Sequence, residues 1–398
     1  MATIKLSFKA TSDLSTNRLS IDLGSKIALL DPNANPATFV SQRLNVKKAK
    51  QPKIGWLSDV YRPDISQVNF STGYTNTAAT AITVDDASYF NVGDLWLVES
   101  TKEIVYVNSY STTDDIVQFS RNFPAAASGY VGFPGTIGDN YYLTLLSNAA
   151  EEGSSAPTAH MTLETETNNY CQIVKTTFEL TETEMASLHE AEPELPYQSR
   201  KKGREHAMEL NRLFWWGLPS QTATGGNSKY IRTVGGAYHF IKNSAPAGNI
   251  NSSSDITEDE FLAWLRNCFR YGSARKWLFC CPLLASAMEK WGLAKLNLAP
   301  NDSTGGLVFN RWQSKHGELV IVMDKNLEGP NPGTRPGYAF ILDMPEITWR
   351  PLRSTKMLTN IQANDEDRYE AQYLTEFSIE FRNPYHHGVM NNILTFSA

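Results

Sequence analysis

Between Glu194 and Gly217 the apolar positions follow a helical period. Ala207, Leu210, Leu213 and Phe214 recur at spacings of three and four, which places one apolar stripe along a helix. Pro196 suits a first helical turn, where its missing N–H is not needed. Gly217, closely followed by Pro219, supplies a stop. The segment is long enough for a rod of about 30 Å. Its other faces carry Arg200, Lys201, Lys202, Arg204, Glu205, Glu209 and Arg212. Lys201 with Glu205, and Glu209 with Arg212, are spaced to pair along such a helix. Two readings of this spine stay open: a surface helix with solvated charges, or a rod that meets other subunits through its charged sides.

Elsewhere the dominant period is two. Lys53–Tyr61 alternates as a strand. Its expected partner is Tyr170–Leu180, where Tyr170, Val174, Phe178 and Leu180 share a face. An insertion from about Thr75 to Glu152 lies between them, with short β-rich runs at Ala81–Asp85, Asp94–Glu99, Glu103–Asn108 and Ile116–Ser120. Turn signals such as Val92-Gly-Asp94 separate these runs, so the insertion reads as a small antiparallel sheet or barrel of its own. Pro, Gly and Ala cluster from Phe123 to Gly138, and Glu151–Pro157 makes a flexible exit.

After the spine, Thr257 and Glu260 form a capping box ahead of Phe261, Trp264, Leu265, Cys268 and Phe269 at helical spacing. Trp277–Cys281 reads as a buried strand, and Pro282 opens a helix running to Gly292. Further strands fall at Leu319–Met323, Tyr338–Leu342 and Ile347–Arg350. In the tail, Glu370–Arg382 sets Tyr373, Thr375, Phe377, Ile379 and Phe381 on one face against Leu374, Glu376, Ser378 and Glu380 on the other. The fold class is α+β. Residues 1 to about 50 have no sustained period, so this arm is expected to lie on something else. No internal repeat is visible.

Composition narrows the function. The 398 residues include nine Trp, and only 20% are charged, which is the make-up of an ordered protein. A net charge of −6 leaves no excess of cations for general nucleic-acid binding. No apolar run approaches the ~20 residues of a membrane span, and the N-terminus lacks the apolar core of a secretory signal. A soluble chain made in a cytoplasm, without a membrane partner, is expected. Cys171, Cys268, Cys280 and Cys281 read as buried free thiols.

Candidate chemistry is sparse. None of the seven histidines (His160, His189, His206, His239, His316, His386, His387) stands at a metal-ligand spacing. His386-His387 reads as part of a surface turn, Asn383–Gly388. Gly235-Gly236 is a doublet suited to a tight turn, not a phosphate cradle. Glu182/Glu184 and Asp365/Asp367 are acidic pairs of the kind found on most surfaces, not a glycosidase's two carboxylates. No catalytic residue, metal site or cofactor is nominated, and a structural role is favoured.

The order of elements resembles the major capsid proteins of tailed bacteriophages with the HK97-like fold, and within them the subgroup carrying a β domain in the extended loop. Near the N-terminus the resemblance rests on Ile27, Leu29, Leu30, Asp31, Pro32, Pro36 and Phe39, then Lys47, Lys48 and Lys50, then Trp56 and Asp59. Val84–Asp94, Arg121, Glu152–Pro157 and Tyr170–Ile173 continue it. The spine residues Arg200, Lys201, Lys202, Glu205, Leu210, Arg212, Phe214 and Gly217 form its most specific part. Arg232–Gly236, Glu380–Asn383 and His387-Gly388 follow. Asn122 departs from the pattern, standing where a Gly usually follows the Arg.

The resemblance implies an N-terminal arm (1–50), an extended loop (51–74 and 153–185) and a β-rich insertion domain (75–152). It also implies a peripheral domain with the spine (186–227 and 351–398) and an α/β axial domain (228–350). It implies self-assembly into hexameric and pentameric capsomers of an icosahedral shell, with a portal and scaffold or decoration proteins as further partners. Double-stranded DNA would be enclosed without sequence-specific binding. The protein would reside in the virion after synthesis in the host bacterial cytoplasm. Assembly contacts are expected at Pro32, Pro36, Phe39, Trp56, Asp59, Arg200, Lys201, Lys202, Glu205, Arg212 and Arg232. The alternatives are a tail or baseplate protein, a bacterial nanocompartment shell and, last, a carbohydrate-active enzyme built on a β domain.

Overall fold

A computed structural model describes residues 45–70, 74, 81–121, 123, 136–187, 193–223, 229–292, 302–304, 307–328 and 335–397. They divide into two compact units, one spanning Leu57–Glu166 and the other drawn from Met1–Trp56 and Thr167–Ala398. The chain runs out along β1 (Lys53–Ser58) and returns along β8 (Thr165–Tyr170), and these two strands pair.

The unit Leu57–Glu166 is an antiparallel β structure. Its strands are β2 (Ile65–Gln67), β3 (Ala81–Thr83), β4 (Asp94–Val98), β5 (Glu103–Ser111), β6 (Ile116–Ser120) and β7 (Tyr142–Asn148), paired in the order β2-β7-β4-β5-β6-β3. A bridge between Val68 and Val84 then joins the two ends. Asn69 N donates to Thr83 O and Asp85 N to Gln67 O, each at 3.0 Å, so the sheet closes into a barrel and leaves no edge. Val68, Val84, Phe90, Trp96, Val105, Val117, Phe119 and Leu143 fill it. The four runs read from sequence are strands. The barrel also takes in β2, upstream of the expected boundary at 75, because Ile65–Val68 provides the strand that closes it.

In the other unit, β9 (Gln172–Thr181) follows β8 after one residue. The expectation that Tyr170–Leu180 pairs with the first strand holds only at its start, where Tyr170 ends β8 and Cys171 N donates to Pro52 O at 2.7 Å, and is wrong beyond it. β9 instead lies against β20 (Arg368–Phe381), which in turn pairs with β19 (Ile347–Thr359). The pairing with β1 falls to β8, a run of Thr, Glu and Asn that does not read as a strand. Its anchor is Asn169, which is buried. Asn169 donates to Gly235 O (3.0 Å) and Ile379 O (2.7 Å) and accepts from Tyr170 N (2.8 Å) and Gly235 N (2.7 Å).

A short helix α1 (Glu182–Ala186) precedes the spine, α2 (Glu194–Trp216), which Gly217 ends. A hairpin of β10 (Ser220–Ala223) and β11 (Tyr230–Thr233) leads to α3 (Ala237–Ser244). The capping box of Thr257 and Glu260 starts α4 (Glu258–Cys268), and Pro282 starts α5 (Pro282–Gly292). A seven-stranded mixed sheet runs through this block. In spatial order it comprises β12 (Ile250–Ser252), β21 (Gly388–Ile393), β18 (Gly337–Leu342), β14 (Arg275–Cys280), β17 (Glu318–Met323), β16 (Leu307–Gln313) and β15 (Asp302–Thr304). β13 (Asp255–Ile256) and β22 (Thr395–Phe396) form a small parallel pair beside it. One core joins the sheet to the helices through Phe214, Trp215, Phe261, Trp264, Phe279, Leu284, Phe340 and Phe381.

β20 is not the one-sided strand its alternation implies. From Leu374 to Phe381 both faces are buried. The polar face is covered because arginines from β19 meet its carboxylates: Arg350 with Glu380 at 2.5 Å and Arg353 with Glu376 at 2.6 Å. Arg382 also pairs with Glu380, at 2.6 Å.

Candidate assembly surface

The spine buries His206, Leu210, Asn211, Phe214 and Trp215. Ala207 and Leu213, expected in the buried stripe, are only partly covered. Polar partners turn the helix by about one position. His206 lies between hydroxyls of β9 and β20. Asn211 and Trp215 both donate to the buried Asp324, at 3.1 and 3.0 Å. Apolar spacing cannot report such contacts.

The expected pairs along the helix also shift. Glu205 is met by Lys202 at 2.6 Å, not by Lys201. Glu209 accepts from the Thr176 hydroxyl at 2.9 Å rather than facing Arg212. Arg200 and Arg212 are exposed, while Lys201, Lys202 and Glu205 are half-buried.

Pro32, Pro36 and Phe39 lie outside the described residues. The described end of the arm adds a short parallel run beside β19. Lys47 N donates to Trp349 O (3.0 Å), Trp349 N to Asn45 O (2.9 Å) and Ala49 N to Pro351 O (2.9 Å). Trp56 corrects an expectation. It is 6% exposed and packs edge-on to Phe240 with ring centres 5.6 Å apart, so it serves the chain's own core and not a neighbour. Asp59 is exposed and accepts from Val60 N at 2.8 Å. Arg232 donates to Gln221 across the hairpin at 2.9 Å, its guanidinium 5.5 Å from the centre of the Tyr230 ring.

Within Leu57–Glu166, the segments flanking the barrel carry apolar side chains that nothing covers. Tyr61 is 99% exposed, Met161 83% and Leu163 86%, with Leu57 and Val60 also exposed. Residues 59–63 and 155–164 form no helix or strand. Sequence reasoning did not select these residues. The available signal was large apolar side chains, at 161 and 163 in a stretch without a period and at 57–61 at the end of the Lys53–Tyr61 run, whose strand stops at Ser58. Large apolar side chains left open to solvent on segments without secondary structure are candidates for a contact surface.

The remaining titratable groups are structural. His387 is buried, which corrects the surface-turn expectation. Its Nδ1 accepts from Asp343 N (3.1 Å) and its Nε2 donates to Arg382 O (3.2 Å). Burial, with Lys276 beside it, pulls it down to about 3. Lys276 is buried too and donates to Cys268 O, Tyr271 O and His386 O, each at 2.7 Å. All four cysteines are free and buried, and burial raises Cys171 and Cys281 to about 11 and Cys268 to about 12. Among the described residues no group of three or more His, Cys, Asp or Glu could hold a metal ion, and no helix is long and apolar enough to cross a membrane.

The sequence matches the SU10 major capsid protein family over residues 5–394. The chain belongs to that family. It is thus a phage major capsid protein and a virion component, and its fold is the HK97-like capsid fold. The major capsid protein of Pseudomonas phage PaMx41 is 24% identical over 324 residues, covering 78% of this chain and 72% of the relative. The capsid of a native GTA particle has the same fold with a TM-score of 0.52 at 9% identity, covering 99% of this chain and 100% of that one. A chain of Mycobacterium phage Bobi aligns with a TM-score of 0.47 at 9% identity, over 98% of this chain and 100% of that one. For a major capsid protein the relevant site is a surface, and the exposed apolar segments and the charged side of the spine are its candidates.

Proposed function

We propose that this capsid chain closes into hexamers and pentamers of an icosahedral shell, gripping its neighbours through the uncovered segments beside the barrel and the charged side of the spine. The observation that carries this reading is the near-complete exposure of Tyr61, Met161 and Leu163 on chain with no secondary structure of its own. Rings of five and six from one sequence require heterologous contacts that tolerate a change of angle, and extended segments bend where packed cores do not. Residues 1–50 act as the arm. The extended loop lies on either side of the barrel, and the barrel serves as the insertion domain. The spine with the β9-β20-β19 sheet forms the peripheral domain, and the seven-stranded block is the axial domain.

Arg200, Lys201 and Arg212 then meet neighbouring subunits, as do Pro32, Pro36 and Phe39 of the arm. A portal and scaffold or decoration proteins complete the particle, which is assembled in the host cytoplasm. The role is structural and not enzymatic. With a net charge of −6, the shell encloses double-stranded DNA without trapping it, since counterions and not protein cations neutralise most phosphates. Electron microscopy of Tyr61→Asp/Leu163→Asp beside the unaltered chain tests this. The expected result is loss of closed shells with unchanged circular dichroism. Shells of normal yield and size would refute the assignment.

A further inference from the structure

A continuous line of hydroxyl and imidazole groups joins the spine to its sheet. Thr176 Oγ1 lies 2.9 Å from Glu209 Oε2 and 2.8 Å from His206 Nδ1. His206 Nε2 lies 2.7 Å from Thr375 Oγ1, which lies 2.8 Å from Thr355 Oγ1. His206, Thr176 and Thr375 are buried, whereas Thr355 at the end of the line is exposed.

The chemistry of the groups orders the protons. A carboxylate only accepts, so Thr176 donates to Glu209 and takes its own hydrogen bond from His206 Nδ1–H. The neutral ring then accepts at Nε2, so Thr375 donates to it and accepts from Thr355. Every hydrogen bond points the same way, from the exposed threonine to the carboxylate.

We propose that this line is an acid-responsive joint: a proton taken up from solvent on His206 Nε2 turns that atom into a donor, reverses Thr375 and Thr355, and loosens the spine from its sheet. After the reversal Thr375 donates to Thr355, and Thr355 turns its own proton to water. The imidazolium charge is left between β9 and β20, with Glu209 opposing it only through Thr176.

Few other ionisable groups face the ring. On its own helix these are Glu209 and, one turn back, the Lys202–Glu205 pair. β20 contributes Tyr373, whose ring is centred 6.0 Å away and whose hydroxyl donates to Ser199 O at 3.1 Å. On β9, Lys175 and Glu179 alternate to the face opposite Thr176. β19 contributes Thr355, with Arg353 held on the other face by Glu376.

Burial lowers the His206 pKa, and the Glu209 carboxylate opposes that effect. The unfolded chain takes the proton near the ordinary histidine value of about 6.5. The folded site resists, so its stability is complete above that pH and is lost as pH falls through it towards the depressed folded value.

Two variants of the full chain test the joint. In His206→Gln the amide can donate to Thr176 and accept from Thr375, keeping the neutral pattern without a titrating group. Glu209→Gln still accepts from Thr176 but removes the opposing charge. Melting and hydrogen exchange, corrected for intrinsic rates, are followed between about pH 7.5 and about pH 5. Relative to H206Q, the unaltered chain should lose more melting temperature and more protection in residues 172–181, 199–216 and 368–381. E209Q should lose more still. The other histidines titrate alike in all three chains and cancel. Equal acid losses in the three chains would overturn the proposal. Should H206Q fail to fold, the comparison of E209Q with the unaltered chain decides: a larger acid loss supports the joint and an equal one refutes it.

Discussion

The backbone N–H of Gly236 donates to the carbonyl of Gly217 over 2.9 Å, so the end of the spine is joined backbone to backbone to the start of α3. Neither position has room for a side chain. A Cβ on Gly217 would stand 2.2 Å from Val234 O, and one on Gly236 would stand 2.7 Å from both Gly217 N and Leu213 O. The doublet Gly235-Gly236 that reads as a turn is therefore also the place where two elements touch.

Gly217→Ala and Gly236→Ala should each force this contact apart. The cost expected for overpacking a filled site is about 1–3 kcal/mol, measured as a lowered urea midpoint of the full chain. Because either methyl group opens the same contact, the double variant should cost less than the sum of the two. Additive losses would mean that the glycines act independently.

Asp324 holds the spine through side-chain hydrogen bonds. Its Oδ2 accepts from Asn211 and Trp215 of the helix, and its Oδ1 from the backbone and side-chain nitrogens of Asn326, both at 2.9 Å. Asp324→Ala would strand two buried donors on the spine, each costing about 1–3 kcal/mol. Unfolding followed by tryptophan fluorescence should show the loss. Hydrogen exchange should rise in the spine and leave residues 94–120 of the barrel unchanged. Protection retained in the spine would show that Asp324 is not its anchor.

Much of this architecture was legible because local patterns agree with it. The helical period from Glu194, the stop at Gly217, the Thr257 capping box and four barrel strands all survive in the structure. What was illegible depends on partners remote in sequence. The spine's buried stripe shifted because His206 and Asn211 find Thr176, Thr375 and Asp324, as many as 169 residues away. β8 is a strand despite its composition because Asn169 is fully bonded across the core. The family pattern points Trp56 to a neighbour, whereas in the folded chain it packs against Phe240. Leu163 carries no periodic signal, and Tyr61 ends a run that reads as a strand but stops at Ser58, so only their exposure in the folded chain brings them forward.

The barrel buries a charge pair between Glu103, at the start of β5, and Arg121, just after β6. Arg121 reaches Glu103 with two hydrogen bonds, Nε to Oε1 at 2.9 Å and Nη2 to Oε2 at 2.7 Å, and the two side chains are 4% and 0% exposed. Such a fork matches carboxylate geometry, but both ions were taken out of water to form it. Removing one partner is therefore far more harmful than removing both. Glu103→Gln takes the Glu103 charge away from the buried guanidinium, a loss of up to about 3–5 kcal/mol. Glu103→Met with Arg121→Met fills the space without charge and should recover most of that loss. Hydrogen exchange of residues 94–120 is the measurement that separates the two. Protection should collapse in E103Q and return in the double variant, with the spine indifferent to both. A double variant as unprotected as the single one would mean that the ion pair itself, and not relief of a stranded charge, holds the barrel closed.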